Sequence, residues 1–229
     1  MNAGTAITSE EVREQWLQPC YAYFTRLWNE RVNKPMKGDL ISMLAHSDAR
    51  ETMTPEEFRG NIILLIVGGN DTTRNSISGS LLALNQNPAE YEKLRMAPDL
   101  TTNMVSEIIR WQTPLAHMRR TAVVDVNMGG QRIRAGDKVV MWYLSGNRDS
   151  DVIERADEFL IDRRNARHHL SFGFGVHRCL GNRLAELQLR VLWEEILKRF
   201  QFIEVVGEPV RTFSNFVHGF ESMPVQIRA

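Results

Sequence analysis

Apolar residues recur at three- and four-residue steps through most of the chain, and strict alternation replaces that step in a few short regions. Residues 10–31 carry Trp, Tyr, Leu and Arg at helical spacing and stop ahead of Asn33 and Pro35, which predicts one helix. Gly38-Asp39 leads into a shorter one, about Leu40 to His46. Thr54-Pro55-Glu56-Glu57 is a helix start. A hydroxyl caps, proline sits where no amide hydrogen is needed, and acids face the positive dipole end. The pattern then runs to Pro88 without a proline, far beyond an average helix of about 11 to 12 residues. Pro88–Ala97 and Asp99–Trp111 predict two more helices, the second ending ahead of Pro114.

From Val123 to Gly136 the period becomes two. Val124, Val126 and Met128 alternate, Gly129-Gly130 and Ala135-Gly136-Asp137 turn the chain, and Val139 to Tyr143 continues the pattern. This predicts a small antiparallel sheet of short strands. Asn147 to Leu170 is polar and aperiodic, a length of loop that is usually functional. Gly181 to Phe200 predicts an amphipathic helix with Leu184, Leu187, Leu192 and Ile196 inward. Phe202–Val206 and Pro224–Ile227 alternate again. The expected fold is mainly α with a small antiparallel β part.

Composition narrows the class. Of 229 residues, 43% are apolar and 24% charged, which is globular and excludes a disordered tail. Twenty-eight basic residues balance 28 acidic ones with no basic run, which argues against nucleic acid as a partner. The longest apolar run, Ile62 to Val67, is far short of the ~20 residues of a membrane span. Met1 to Glu10 lacks the apolar stretch of a secretory signal, so a cytoplasmic location is expected. Two widely separated cysteines, Cys20 and Cys179, fit a reducing compartment.

The chemistry concentrates in residues 171–181, Ser-Phe-Gly-Phe-Gly-Val-His-Arg-Cys-Leu-Gly. Its glycines bend a loop tightly, and Cys179 falls just ahead of a predicted helix whose positive end favours a thiolate. A thiolate is a soft metal ligand, and one axial to haem iron favours O–O cleavage. A buried apolar cysteine in a glycine-rich turn is the plainer alternative. Zinc has little support, because His177 and Cys179 offer two ligands where a structural site takes four.

Three further patterns carry less on their own. Glu107 and Arg110 lie one helical turn apart, a commonplace pair worth only ~0.3 to 0.5 kcal/mol when exposed. Gly68-Gly69-Asn70-Asp71-Thr72-Thr73 falls inside the long helix, where each glycine costs about 1 kcal/mol relative to alanine. Close packing against a neighbour or a polar break would explain it. So would a local widening, with Thr72 bonding a water in place of a lost helix bond. Arg119 and Arg120 precede a strand and are either solvated or available to a carboxylate. His168 and His169 read as solvent-facing, and His117 and His218 as pocket-lining or simply satisfied. Cys20 has no assigned role, and the five tryptophans are assigned to core and interface.

Phe172, Gly175, His177, Cys179 and Gly181, in that spacing, resemble the cysteine-ligand loop of the cytochrome P450 haem-thiolate monooxygenases. The resemblance reaches from about Glu10 to Arg228. It implies the C-terminal portion of that fold, with haem b bound through Cys179 as axial thiolate. His177 and Arg120 would meet the haem propionates. Glu107 and Arg110 would lock the core beneath the loop, usually with a third arginine. Glu158 stands where many members carry that arginine, which leaves Arg163 or Arg164. The glycine-acid-alcohol stretch is similar to the family's oxygen groove, where Thr72 would handle dioxygen and Asp71 relay protons through water.

The family's catalytic domain is close to twice this length. Residues 1–229 are therefore expected to be a partial haem domain lacking its N-terminal half, and inactive alone. Residues 63–76, 140–143, 182–188 and 221–224 look like bacterial medium-chain alkane terminal hydroxylases. That likeness implies a substrate pocket at Leu64, Val67, Gly68, Leu115, His117, Phe216 and Val217, mostly apolar, for a hydrophobic small molecule. It also implies separate redox partners, an iron–sulfur ferredoxin and its NAD(P)H-dependent reductase, with no flavin in this chain. Arg178, Arg183 and Arg190 would form the docking face. Two rival readings are a non-catalytic haem-binding or sensor protein, including an inactive fragment, and a peroxide-driven enzyme. Asp71 with Thr72 speaks against both, since a sensor needs no proton relay and peroxide-using relatives often lack the pair.

Overall fold

A computed structural model describes residues 9–228, and two compact units divide the chain after Val67. In the first, α1 (Glu10–Arg31) starts at Ser9, whose hydroxyl accepts the Val12 amide hydrogen at 3.3 Å. Asp39 caps α2 (Leu40–Ala45), accepting from the Ser42 amide at 2.8 Å and from Arg31 Nε at 3.2 Å. Trp28 meets Phe58 edge-on at 4.8 Å and Arg59 lies over the buried Tyr21 ring, so α1 packs on the start of the long helix α3 (Pro55–Gln86). That start is a reciprocal cap. The Thr54 amide donates to Glu57 Oε2 at 2.8 Å, and the Glu57 amide donates to Thr54 Oγ1 at 3.2 Å.

The second unit holds the main core. The later turns of α3 pack with α4 (Pro88–Met96), α5 (Thr101–Gln112) and α7 (Asn182–Arg199). Trp193 anchors the cluster, fully buried, with Nε1–H donating to Ser80 Oγ at 2.8 Å. Tyr91 lies against it and against Phe202. The inward stripe of α7 differs from the expected one. Leu189, Trp193 and Ile196 face the core, while Leu184 and Leu187 are 60% and 46% exposed. At about 100° per residue Leu184 lies opposite Trp193 and Leu187 about 120° from it, and the large apolar area of Trp193 sets the face.

The β part is four two-stranded antiparallel pairs. The expected single sheet over residues 123–143 is split. β2 (Val126–Met128) and β3 (Gln131–Ile133) form a hairpin whose turn glycines both have positive φ, as a tight two-residue turn requires. β4 (Lys138–Trp142) pairs instead with β1 (His117–Thr121), with Arg120 opposite Val139. β5 (Phe202–Val205) and β8 (Val225–Arg228) pair as the alternating tail predicts. β6 (Val210–Arg211) and β7 (Phe220–Ser222) form a second hairpin arm with a register shift at Val210/Arg211. A Leu115–Val217 bridge ties that hairpin to the segment entering β1. After the single turn α6 (Tyr143–Gly146), residues 147–170 form neither helix nor strand.

Candidate functional site

The foundation of the site is α5. Glu107 and Arg110 are fully buried and bonded in a fork, Nη2 to Oε1 and Nε to Oε2, both at 2.8 Å. Glu107 also accepts from Arg163 Nε at 2.9 Å and from the Leu160 amide at 2.9 Å, so all its lone-pair directions are filled. Arg110 spends its remaining donors on the carbonyls of Asn147, Ala156 and Glu158. One carboxylate and two guanidiniums therefore pin the aperiodic 147–170 segment to α5. Arg163 is the third partner. Glu158 contributes only its backbone carbonyl, its own carboxylate pairing with Arg155 at the surface.

The lock extends into the cysteine loop through Asn147. This buried amide donates to Thr113 Oγ1 at 2.8 Å and to Ser171 Oγ at 2.9 Å, and accepts the Leu170 amide hydrogen at 2.7 Å. Ser171 in turn donates to the Ile109 carbonyl at 2.7 Å. Residues 170–171 are thus stapled to the end of α5, where Thr113 takes φ 39° and Pro114 follows. Phe172 packs against the core cluster. Gly173 and Gly175 have φ 68° and 75°, a region other residues rarely adopt, and let the chain double back. The Cys179 amide then closes the loop on the Phe172 carbonyl at 2.8 Å.

Cys179 is exposed and unbridged, three residues ahead of the first residue of α7, with Gly181 as N-cap. Phe174, Val176 and Leu180 around it are 82%, 96% and 97% exposed, and His177 and Arg178 are exposed with them. A free thiol inside an apolar collar, at a helix N-terminus, fits the face and edge of a large flat apolar group carrying a metal and carboxylates. Zinc does not fit: among the described residues no cluster of three or more His, Cys, Asp or Glu is placed to hold a metal.

His169 departs from expectation. It is 9% exposed, not solvent-facing, and packs on Phe172 at 5.1 Å. Burial, then the charges of Arg178, Arg110 and Arg167, push its imidazole down to about 4. Arg148, not singled out in the sequence, stacks on Trp111 at 4.0 Å and donates to the Trp111 carbonyl at 2.9 Å. Burial pushes its guanidinium down to about 10. Asn147 and Arg148 read in sequence as ordinary loop polarity, and nothing local marks them as structural.

The residues of the expected oxygen groove lie on α3, which runs as unbroken α-helix, so the expected widening is absent. The Thr72 hydroxyl donates to the Gly68 carbonyl at 3.0 Å, one turn back, and Asp71 pairs with Arg74 at 2.6 Å on the surface. Both side chains engage their own helix. A methyl group at Gly68 or Gly69 would meet no atom within 4 Å among the described residues.

Of the expected pocket residues, Leu64 and Val67 are 70% and 52% exposed on α3, whereas Ile62 is buried. Leu115 bridges Val217, and His117 lies against Trp142 and Phe216 at 4.8 and 5.6 Å. Phe216 and Val217 line a cavity of about 360 Å³, as does His218. Arg120 is half-buried on β1, with Nη1 donating to the Arg119 carbonyl at 3.0 Å.

A glycine-bent cysteine loop at a helix start, stapled to a buried carboxylate with two guanidiniums in a mainly helical fold, defines the haem-thiolate class. Residues 7–227 match the family described as Cytochrome P450, and the chain belongs to that family. It is 43% identical over 188 residues to linalool 8-monooxygenase of Pseudomonas putida, covering 82% of this chain and 46% of that protein. It is 39% identical over 209 residues to a methyl-branched lipid omega-hydroxylase of Mycobacterium bovis, covering 89% and 48%. Cytochrome P450-153 from Novosphingobium aromaticivorans superposes with a TM-score of 0.92 at 51% identity, covering 97% of this chain and 55% of that one. The chain thus spans about half the length of the relatives it matches.

Proposed function

We propose that the chain is the C-terminal portion of the haem domain of a monooxygenase. It would insert one oxygen atom of O2 into an unactivated C–H bond, at the terminal carbon of a medium-chain alkane or fatty chain. The observation that supports this most is the Cys179 loop: an exposed thiol, an apolar collar and a rigid staple to Glu107 and Arg110. Cys179 would hold the haem iron through its thiolate, and Arg120 and His177 would meet the haem carboxylates. Haem b, when bound, supplies reductive activation of dioxygen.

The remaining work belongs to the protein. The Thr72 hydroxyl, which donates to the Gly68 carbonyl, would hold and pass on a proton at its Oγ1. Asp71 is its source from solvent, held at the surface by Arg74. Leu115, His117, Phe216 and Val217 of the second unit would make an apolar wall that excludes water and holds a chain by area burial. The names of the omega-hydroxylase and of the linalool enzyme support oxidation of a hydrocarbon-rich substrate.

Electrons would come from an iron–sulfur ferredoxin and its NAD(P)H-dependent reductase. Arg183 and Arg190 already face Glu186 and Glu194 at 3.5 Å, so Arg178 is the cation best placed to meet an acidic partner beside Cys179. No helix among the described residues is long and apolar enough to cross a membrane. The test is coupled turnover of octane in a protein that contains this chain: 1-octanol formed in step with NADH consumption supports the reading, and octane left untouched under full reduction refutes it.

A further inference from the structure

The cavity of about 360 Å³ in the second unit has an apolar side, with Trp142, Phe216 and Val217, and a polar side, with Arg211, Ser214 and His218. Its volume is within the range of small-molecule pockets. Nothing in the oxygen chemistry uses its polar side.

Arg211 is oriented there by two neighbours. Its guanidinium lies over the Phe220 ring at 4.2 Å, and Phe220 is a buried, rigid platform directly across the strand pair. Its Nη1 is 3.4 Å from His218 Nε2. The other ring nitrogen of His218 is 2.5 Å from the Gln112 carbonyl. A carbonyl only accepts, so Nδ1 carries the hydrogen and Nε2 turns its lone pair toward Arg211. Burial holds His218 below the usual histidine range, which keeps that tautomer neutral.

No carboxylate lies within ion-pair distance of Arg211 among the described residues, and Glu208 acts on it only as a nearby charge. Ser214 accepts the amide hydrogens of Phe216 and Val217 at 3.1 and 2.9 Å, which leaves its own hydroxyl hydrogen to donate. A stacked, oriented guanidinium with unused N–H groups, one hydroxyl donor and an apolar wall matches a chain ending in a planar anion.

We propose that this cavity binds the carboxylate end of a medium-chain aliphatic acid, with Arg211 as the anchor, Ser214 as a second donor, and the chain lying along Trp142, Phe216 and Val217. It adds an end group to the reading of Phe216 and Val217 as substrate-facing and to that extent rests on it. The binding itself needs neither haem nor turnover, so either claim can fail alone.

The test is calorimetric titration of the 229-residue chain with octanoate, acetate and 1-octanol. Octanoate should bind one to one and weaken as NaCl is raised. Acetate, which lacks the chain, and 1-octanol, which lacks the charge, should each bind at least about tenfold more weakly. Arg211→Gln should raise the octanoate Kd at least about tenfold and leave 1-octanol unchanged. Should Arg211→Gln lose its far-ultraviolet helical signal, Arg211→Lys decides. It keeps the charge but not the planar fork, and should weaken octanoate about threefold or more. No octanoate binding by the parent, equal binding of 1-octanol, or an unchanged octanoate Kd in the folded variant would overturn the proposal.

Discussion

Replacing Glu107 by glutamine keeps the shape of the side chain and removes its charge. The carboxylate accepts four hydrogen bonds, two from Arg110, one from Arg163 and one from the Leu160 amide. Glutamine retains one oxygen and turns an NH2 group toward donors already in place. Two guanidiniums, 1% and 6% exposed, then lose their only counter-charge in the network. Breaking a buried pair by removing one partner costs about 3 to 5 kcal/mol. Against a typical stability of about 5 to 15 kcal/mol, that is about a fifth or more of the whole. At about 2 to 4 °C per kcal/mol for a chain of this size, the melting temperature should fall by about 6 to 20 °C. Glu158→Gln is the control. It removes an acid whose only ion pair, with Arg155, is half-exposed, and it should melt with the parent. Thermal unfolding followed by circular dichroism measures both. If Glu107→Gln melts within about 2 °C of the parent, the ion lock does not hold the segment as described.

Thr72→Ala should leave NADH consumption intact and lower alcohol formed per NADH, the deficit leaving as peroxide; an unchanged ratio would remove Thr72 from oxygen handling. His169 is neutral in the fold, with its imidazole held down to about 4 by burial first and then by Arg178. The unfolded chain binds the proton more readily, so this contribution is complete above about pH 6.5 and is lost as pH falls toward 4, worth about 3 kcal/mol in all. His169→Phe, which keeps an aromatic ring on Phe172, should flatten the melting profile between those limits; a profile identical to the parent's would count against it. The 229-residue chain supplied with haem, ferredoxin and reductase should form no 1-octanol from octane. Phe174, Val176 and Leu180 stand open to water, and reaction requires water excluded from the iron. Coupled octanol formation would contradict that.

Features set by neighbours in sequence were legible in it. The Thr54–Glu57 cap needs only residues three apart, and the bounds of α1 and α3 follow from proline, caps and period. The Cys179 loop was legible because its turns depend on glycine at Gly173 and Gly175, where φ is positive. What depended on distant partners was not. β1 was missed because Arg119-Arg120 hides its alternation, and only pairing with β4 makes it a strand. Arg163 and Arg164 were equivalent in sequence, and the path of residues 154–163 around Glu107 selects Arg163. His169 looked like its exposed neighbour His168, yet the staple at Asn147, Leu170 and Ser171 draws it inward. On α7 Ile196 turns inward as expected, whereas Leu184 and Leu187 do not, because Trp193 with Leu189 sets the buried face.

The central claim is that Cys179 ligates haem iron as a thiolate. The most direct measurement is the ferrous carbonyl spectrum of the haem-reconstituted protein and of its Cys179→Ala variant. The parent should show the red-shifted Soret band of thiolate ligation, and the variant should lose it while keeping its helical signal. The same red-shifted band surviving in Cys179→Ala would contradict the account.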